Sequence, residues 1–391
     1  MNQKLKICIL ILLFACLSQA SVDIYLPSIP AISSSFKVPL YLSQWTISLY
    51  LLGLSISLLF YGPISDAIGR KKPLLYGLAI AFIGTIICVL SVNIEMLLIG
   101  RLLQGIGSGA CASLWRSVFR DTFNANEMSK YGSYLVLIFT FVVPAVPALG
   151  GFLQHLFGWR ANFIALLIYV IIALISVGCF LPETNKHLDK SKLSPKIIKS
   201  SFKELLFSKV FIGNSLCTFL ASGAIYAWVT IAPILLMKKA HLPPIEFGLV
   251  FLISSIIPFA IAGYSNAKLV GKYGINNMLC VAYFFMGIAG VLLILLYFVF
   301  GFSILGIVLP IMLFYTGTSF LFPNTVAGAF KHVAHIAGVA GSLYAFLQQL
   351  GGTIFSGVMA HMPSSNPIPL AVFFIGVSLV SYVLYLSCIK E

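Results

Sequence analysis

Charged side chains are scarce in this sequence of 391 residues. Asp, Glu, Lys and Arg make up 9% of it and only 10 residues are acidic, whereas 60% are hydrophobic. The mean hydropathy is +1.04. A water-soluble domain needs a polar surface that this composition cannot supply. The composition excludes this class and indicates a protein with many membrane spans.

Reactive constellations are also missing from the sequence. The eight cysteines lie in or at apolar segments, form no CxxC pair and have no histidine at metal-ligand spacing, so we interpret them as small hydrophobic residues. No nucleophile is accompanied by a base, and no soluble catalytic segment is present. We therefore expect no metal, no cofactor and no enzymatic activity.

The apolar runs are continuous rather than alternating, which favours helices over a β-barrel. At about 20 residues for each span, the sequence predicts twelve transmembrane helices. They cover residues 7–26, 42–62, 74–92, 97–117, 132–153, 161–181, 209–235, 245–264, 277–299, 302–322, 336–360 and 368–388. The N-terminal segment also has the basic, apolar and small-residue parts of a signal peptide, but its removal would leave an odd set of eleven spans. We expect an all-α membrane protein.

The distribution of Lys and Arg predicts the orientation of the chain. If Lys4 and Lys6 are cytoplasmic, alternation of the spans leaves four of the 24 basic residues outside and one within a span, so 19 lie on the cytoplasmic side. This bias predicts that both termini are cytoplasmic. It also accounts for the net charge of +14 without a nucleic-acid partner.

A break in composition divides the chain into two parts of nearly equal length. We expect a six-helix bundle over residues 1–181, a cytoplasmic linker over 182–208 and a second six-helix bundle over 209–391. A weak internal similarity between DAIGRKK (66–72) and KLVGKYG (268–274), in corresponding loops, supports a repeat. Such repeats place a substrate cavity between the halves, near the membrane midplane.

The segment GPISDAIGRKKPL, residues 62–74, concentrates one acid and three bases between two apolar spans. Gly62 and Gly69 permit close packing and a tight turn, Asp66 can pair with a base, and Arg70 and Lys71 hold the loop at the cytoplasmic face. A simple basic turn is the alternative interpretation. The pattern G-x-x-x-D-x-x-G-R-K-K resembles the signature loop of the major facilitator superfamily, in which it acts as a conformational latch.

Further motifs extend this resemblance through the first half of the chain. RLLQGIGSG (101–109) is similar to a fourth-span motif of the family. PAVPALGGFL (144–153), with Pro144, Pro147, Gly150 and Gly151, resembles the fifth-span motif of drug antiporters, although Val142 and Val143 replace the usual preceding glycines. Together with VDIYLPSIP, RSVFRDTF, GWRANF and LPET, these motifs look most like the Bcr/CflA group of bacterial drug:proton antiporters.

Two charged residues lie inside predicted spans, away from the residues at the span ends. Asp23 is the one carboxylate inside a span, and Arg101 is the clear embedded base. At 1.5 Å per residue, both lie at nearly the same depth, so pairing is geometrically possible. A carboxylate there can exchange a proton as hydration or a bound cationic drug changes its surroundings. The alternatives are an N-terminal cap or kink partner near Pro27 and Pro30 for Asp23, and a packing residue hydrogen-bonded to carbonyls for Arg101.

Polar and aromatic residues within spans are candidates for the wall of the substrate cavity, although each is also suited to packing. They are Gln19, Tyr25, Tyr50, Gln104, Asn214, Tyr226, Trp228, Tyr344 and Gln348. The resemblance implies a monomeric, proton-coupled exporter of small, largely apolar drugs in the bacterial inner membrane, with drug, protons and lipid as its partners. A major facilitator importer, or an exporter of a natural metabolite, is the alternative; a passive channel is disfavoured by the two-fold repeat.

Overall fold

The structure is a computed structural model that describes residues 3–185, 188, 195–333, 336–363 and 366–390. Within these ranges every regular element is a helix. In chain order they are α1 (Gln3–Asp23), α2 (Ile29–Phe36), α3 (Leu40–Ile68), α4 (Lys71–Leu90), α5 (Ile94–Thr122), α6 (Ala125–Phe157), α7 (Arg160–Phe180), α8 (Pro195–Phe207), α9 (Lys209–Ala232), α10 (Pro244–Phe300), α11 (Ile304–Phe330), α12 (Ala337–His361) and α13 (Ile368–Leu384).

The predicted all-α membrane architecture is confirmed. In the described ranges, nine continuous helical segments are long and apolar enough to cross a membrane, and the 57-residue α10 holds two predicted spans. The remaining two spans correspond to α6, whose apolar part is Phe141–Phe157, and to α12. Of the predicted linker, residues 186–187 and 189–194 lie outside the described residues. The helix α8 was not predicted.

The first span is interrupted next to Asp23. After α1 ends at this residue, a 3-10 turn covers Leu26–Ser28 before α2 begins. Pro27 and Pro30 have no backbone N–H and cannot continue the ladder of α1. Asp23 does not cap the turn, because no side-chain cap is present there. The break therefore brings the carboxylate to the end of a helix inside the bundle.

A glycine also separates the two spans contained in α10. Gly274 has φ +78°, a conformation that side chains rarely adopt, and it interrupts the helical dihedrals there. In the first half the corresponding turn is made by Gly69, with φ +96°. The sequence similarity aligns Gly69 with Gly271, but the structure places the turn three residues later, at Gly274. Both halves thus make this turn with a glycine of positive φ, but the glycine stands three residues later in the second half than the sequence alignment places it.

The two halves meet along α3 with α12 and along α6 with α10. We name the end that carries Arg70, Lys71 and Lys72 the basic face, and the other end the opposite face. Near the opposite face the two halves are in direct contact: a Cβ on Gly151 of α6 would lie 2.1 Å from the Pro244 carbonyl oxygen of α10. Only glycine permits this approach, so the chain closes the opposite face through backbone contact.

Candidate transport pathway

The loop between α3 and α4 forms a charge cluster at the basic face. The Arg70 side chain is 4% exposed and donates to Asp66 Oδ1 at 2.6 Å, to Ser65 Oγ at 2.6 Å and to Asp121 Oδ2 at 2.8 Å. Gly69 supplies the turn that directs Arg70 inward, and Gly62 lies against Ser342 of α12. The predicted latch residues are therefore brought together, at the boundary between the halves.

Glu183, in the LPET segment after α7, completes this cluster. Its carboxylate accepts from the backbone N–H of Arg70 at 2.7 Å and of Lys71 at 3.1 Å, at the start of α4. Although burial favours the neutral acid, these donors and the N–H groups of Thr184 and Asn185 hold the pKa of Glu183 below its ordinary value. The sequence marked LPET as a family motif; its role in binding the latch was not predicted.

Arg101 is fully buried within the first half. Its guanidinium donates to the Ser21 carbonyl at 2.9 Å, to the Thr46 carbonyl at 3.3 Å and to the Gln104 side chain. Its Cζ atom also lies 4.3 Å from the ring centroids of both Tyr25 and Tyr50. Carbonyl oxygens and aromatic faces stabilise the cation. Its Nη2 atom is buried and has no hydrogen-bond partner among the described residues.

Asp23 does not pair with Arg101, and the geometric pairing allowed by their depths is not realised. Its Oδ2 accepts from Gln19 Nε2 at 3.0 Å, one turn earlier on α1. The side chain is buried and lies within electrostatic range of Tyr226 on α9 and Tyr315 on α11. The break after α1 turns the carboxylate toward the second half, whereas Arg101 is held by carbonyls on its own side.

A cavity of about 1030 Å³ opens between the halves on the basic face. Helices α3 and α5 line one wall, and α8, α11 and α12 line the other. Two predicted lining residues, Tyr344 and Gln348, are on its wall. Deeper in the protein than these two residues, Gln349 and Gln19 lie close to the Tyr226 hydroxyl. A line of polar side chains thus continues from the cavity toward Asp23.

The other predicted lining residues lie in the protein interior, away from the wall of this cavity. Tyr25 and Tyr50 flank Arg101, and Gln104 donates to Thr85 Oγ1 at 2.9 Å. Asn214 bonds to the Val210 carbonyl, and the Trp228 ring is stacked on Phe251. Their contact with a substrate stays a prediction. Arg116 was counted among the cytoplasmic bases and begins the RSVFRDTF motif, but it was not predicted to line the cavity, which it does.

The predicted antiporter motif lies at the junction of Asp23's helix with the second half. A Cβ on Gly150 would lie 1.7 Å from the Ile24 carbonyl oxygen, and the next glycine faces α10. Pro147 is buried between these contacts, and Pro144 lies one turn earlier in α6. The motif therefore connects the end of α1 to α10 through close backbone packing.

The fold and the cavity define a polytopic carrier with two six-helix halves around a central pathway. The sequence profile described as Major Facilitator Superfamily matches residues 11–356, and the chain belongs to this superfamily. Its helical architecture is shared with a solved structure of the xylose transporter XylE from E. coli in a partially occluded inward open conformation. That likeness has a TM-score of 0.77 at 14% identity, over 100% of this chain and 99% of the other. Family and fold identify a transporter rather than an enzyme.

Among its relatives, the chain is 27% identical to the bicyclomycin resistance protein homolog of Haemophilus influenzae, over 98% of this chain and 96% of the relative. It is 24% identical to multidrug resistance protein D of Escherichia coli, covering 93% and 91%. It is 26% identical to a chloramphenicol resistance protein of Pseudomonas aeruginosa, covering 97% and 89%. These relatives confirm the resemblance to the Bcr/CflA type.

Proposed function

We propose that this protein is a proton-coupled exporter of small drug-like compounds, with Asp23 as the group that carries the coupled proton. The observation that supports this most directly is the position of Asp23. It is a buried carboxylate at a helix break, held by Gln19 and turned toward Tyr226 and Tyr315 of the other half. An ionisable group that is costly to insert in a membrane is a functional candidate, especially where two moving halves meet.

The arrangement of the two faces supports transport by alternating access. Near the opposite face Gln44 Nε2 donates to the Thr230 carbonyl at 2.8 Å, and the hydroxyls of Ser48 and Ser356 are 2.9 Å apart. These bonds join the halves at that end, while the cavity is open at the other. With the basic face in the cytoplasm, as the distribution of Lys and Arg predicts, this is an inward-facing state that is open to collect substrate.

Export is favoured over import by the Pro and Gly residues of α6, which resemble the fifth-span motif of drug antiporters. Gly150 touches the carbonyl of Ile24, adjacent to Asp23, and Gly151 touches α10. The motif therefore connects the carboxylate's helix to the contact that closes the opposite face. The relatives are named for bicyclomycin, chloramphenicol and multidrug resistance, which also supports export. Import, or export of a natural metabolite, is the alternative outcome of the test.

The test is transport by purified protein in liposomes with an imposed pH gradient, with chloramphenicol and bicyclomycin as the first compounds. We expect wild-type protein to move drug against protons and Asp23→Asn to lose gradient-driven transport, because the amide cannot release a proton. Asp23→Glu, which keeps a titratable group, is the matched control and retains part of the activity. Wild-type rates from Asp23→Asn would remove Asp23 from the coupling step. Uptake driven in the same direction as protons would indicate an importer.

A further inference from the structure

The cavity on the basic face is lined by one arginine that makes no ion pair among the described residues. Its charged lining residues are Asp66, Arg70, Arg116 and Arg120. Arg70 is bound to Asp66 and to Asp121, and Arg120 Nε lies 3.8 Å from Asp121. These ion pairs hold Arg70 and Arg120 against acids of the first half. Arg116 is the charged lining residue for which no ion pair forms among the described residues, and the wall from the second half contributes no charged residue among those described.

The guanidinium of Arg116 is accessible and has no acceptor among the residues that the structure describes. Its Cζ atom lies 4.5 Å from the Trp115 ring centroid, a contact that steadies the side chain and leaves its N–H groups free. Arg116 lies one helical turn inside Arg120 on α5, within the cavity rather than on the outer rim. A planar donor of this kind suits a carboxylate.

Polar groups from both halves surround the same position. Ser113 and Ser117 lie on neighbouring turns of α5, and both line the cavity. Across from them, Tyr344 of α12 lies within electrostatic range of Arg116, and its hydroxyl is oriented by Thr325 Oγ1 at 3.0 Å. Phe322 and Phe330 supply apolar wall beside these groups. The site combines one cation, several hydroxyls and aromatic surface, with a contribution from each half.

We infer that Arg116 forms an anion-binding subsite of the cavity and that the protein prefers amphipathic organic anions, such as aromatic carboxylates, to their neutral analogues. This inference deepens the proposed export function and rests on it for the direction of transport. An anion that leaves a cell with a negative interior also moves down the membrane potential, so such a substrate suits an exporter.

The experiment measures binding to the purified full-length protein by calorimetry with three probes of one shape: 1-naphthoate, 1-naphthamide and the cation 1-naphthylmethylammonium. We expect wild type to bind naphthoate about tenfold or more tightly than naphthamide, because charge-assisted hydrogen bonds exceed neutral ones by this margin. Arg116→Gln should remove that preference and leave naphthamide affinity unchanged. Arg116→Lys should keep part of it. Lys130→Gln, which removes an exposed base of the same face outside the cavity, is the matched control.

Two results would overturn the inference. One is a wild-type protein without preference for naphthoate; the other is equal weakening of both probes in Arg116→Gln, which would show a structural or topogenic role. Proton-driven efflux of chloramphenicol from liposomes is measured in parallel. Efflux without anion preference contradicts only the subsite. Anion preference that depends on Arg116, in a protein that drives no export, contradicts the proposed function and leaves the subsite in place.

Discussion

Arg101 illustrates how an apolar bundle can hold a cation without a carboxylate. Two backbone carbonyls accept from it, one of them freed where α1 approaches its break, and two tyrosine rings cover its faces. A buried charge needs such compensation because its desolvation is costly. The arginine therefore joins α5 to α1 and α3. Its side chain acts on Asp23 only indirectly, by fixing the end of the helix that carries the carboxylate.

Arg101→Ala should accordingly lower stability rather than alter coupling directly. It removes the donor of the Ser21 carbonyl and the second donor of the Thr46 carbonyl, and it opens a void, so we expect the free energy of unfolding to fall by about 3 kcal/mol. Arg101→Lys retains the charge but cannot reach both carbonyls. Its free energy of unfolding should lie between those of wild type and Arg101→Ala. Thermal unfolding in detergent provides the measurement. A double-mutant cycle with Asp23→Asn should be additive to within about 0.5 kcal/mol, since the pair has no direct contact; a larger coupling would restore the predicted pairing.

Among the elements, the helix interruptions determine where the site is built. Pro27 and Pro30 end α1 at Asp23, and glycines at 69 and 274 make the tight turns at the basic face. The glycine pair in α6 then lets the broken segment and α10 approach each other. Each of these residues is visible in the sequence. Each acts through the backbone conformation or the close approach that it allows, and its side chain takes part in no chemistry.

The predictability of these elements differs for a physical reason. Spans follow from the local hydropathy of each segment, so the twelve helices and the all-α class were predicted from the sequence. The latch cluster was partly predicted, because Asp66 and Arg70 are four residues apart; Asp121 and Glu183 join it only through tertiary packing. Of the predicted lining residues, Tyr344 and Gln348 are on the wall of the described cavity and the others are in the interior, since a polar residue within a span faces another helix as readily as the pathway. An accessible Arg116 cannot be told from a topogenic arginine without the fold.

The contact between α6 and α10 should be sensitive to a single added methyl group. Gly151→Ala places a Cβ 2.1 Å from the Pro244 carbonyl oxygen, which forces the two helices apart at the opposite face. We expect the population to shift toward a state open on that side. Spin labels at Phe157 and Glu246, two exposed positions near this end, should report longer distances by double electron-electron resonance. Gly263→Ala in α10 meets nothing within 4 Å and is the matched control; equal distance distributions in both variants would refute the strain.

At the scale of the whole molecule, the two ends of the interface are unlike in a way that suits a two-state carrier. The opposite face is joined by hydrogen bonds between halves, from Gln44 to the Thr230 carbonyl and between Ser48 and Ser356. At the basic face, Arg70, Asp121 and Glu183 bind one another within the first half, while Asp66 borders the open cavity. Closing the cavity would bring this rigid cluster against α12, where Gly62 already lies beside Ser342.

Loss of Arg70 should therefore affect the rate of switching between states more than the affinity for drug. Arg70→Ala leaves Asp66 and Asp121 without their shared partner and loosens the surface that must dock on α12. We expect transport in liposomes to slow by about tenfold, which corresponds to a change of about 1.4 kcal/mol in the barrier. Drug affinity in detergent should stay within about twofold of wild type, because the hydrogen bonds of the Arg70 guanidinium go to residues of its own half and leave none for a substrate.

Two further variants make this expectation specific to the cluster. Asp66→Ala should reproduce the slow transport, since it removes the other side of the same ion pair. Lys72→Ala removes an exposed base from the same loop and should transport as wild type, because it leaves every bond of the Arg70 cluster in place. If Lys72→Ala were as slow as Arg70→Ala, the loop would act through its total charge. If Arg70→Ala abolished drug binding at an unchanged rate of interconversion, the cluster would belong to the substrate site, and Arg70 would have to turn from Asp121 into the cavity when drug binds.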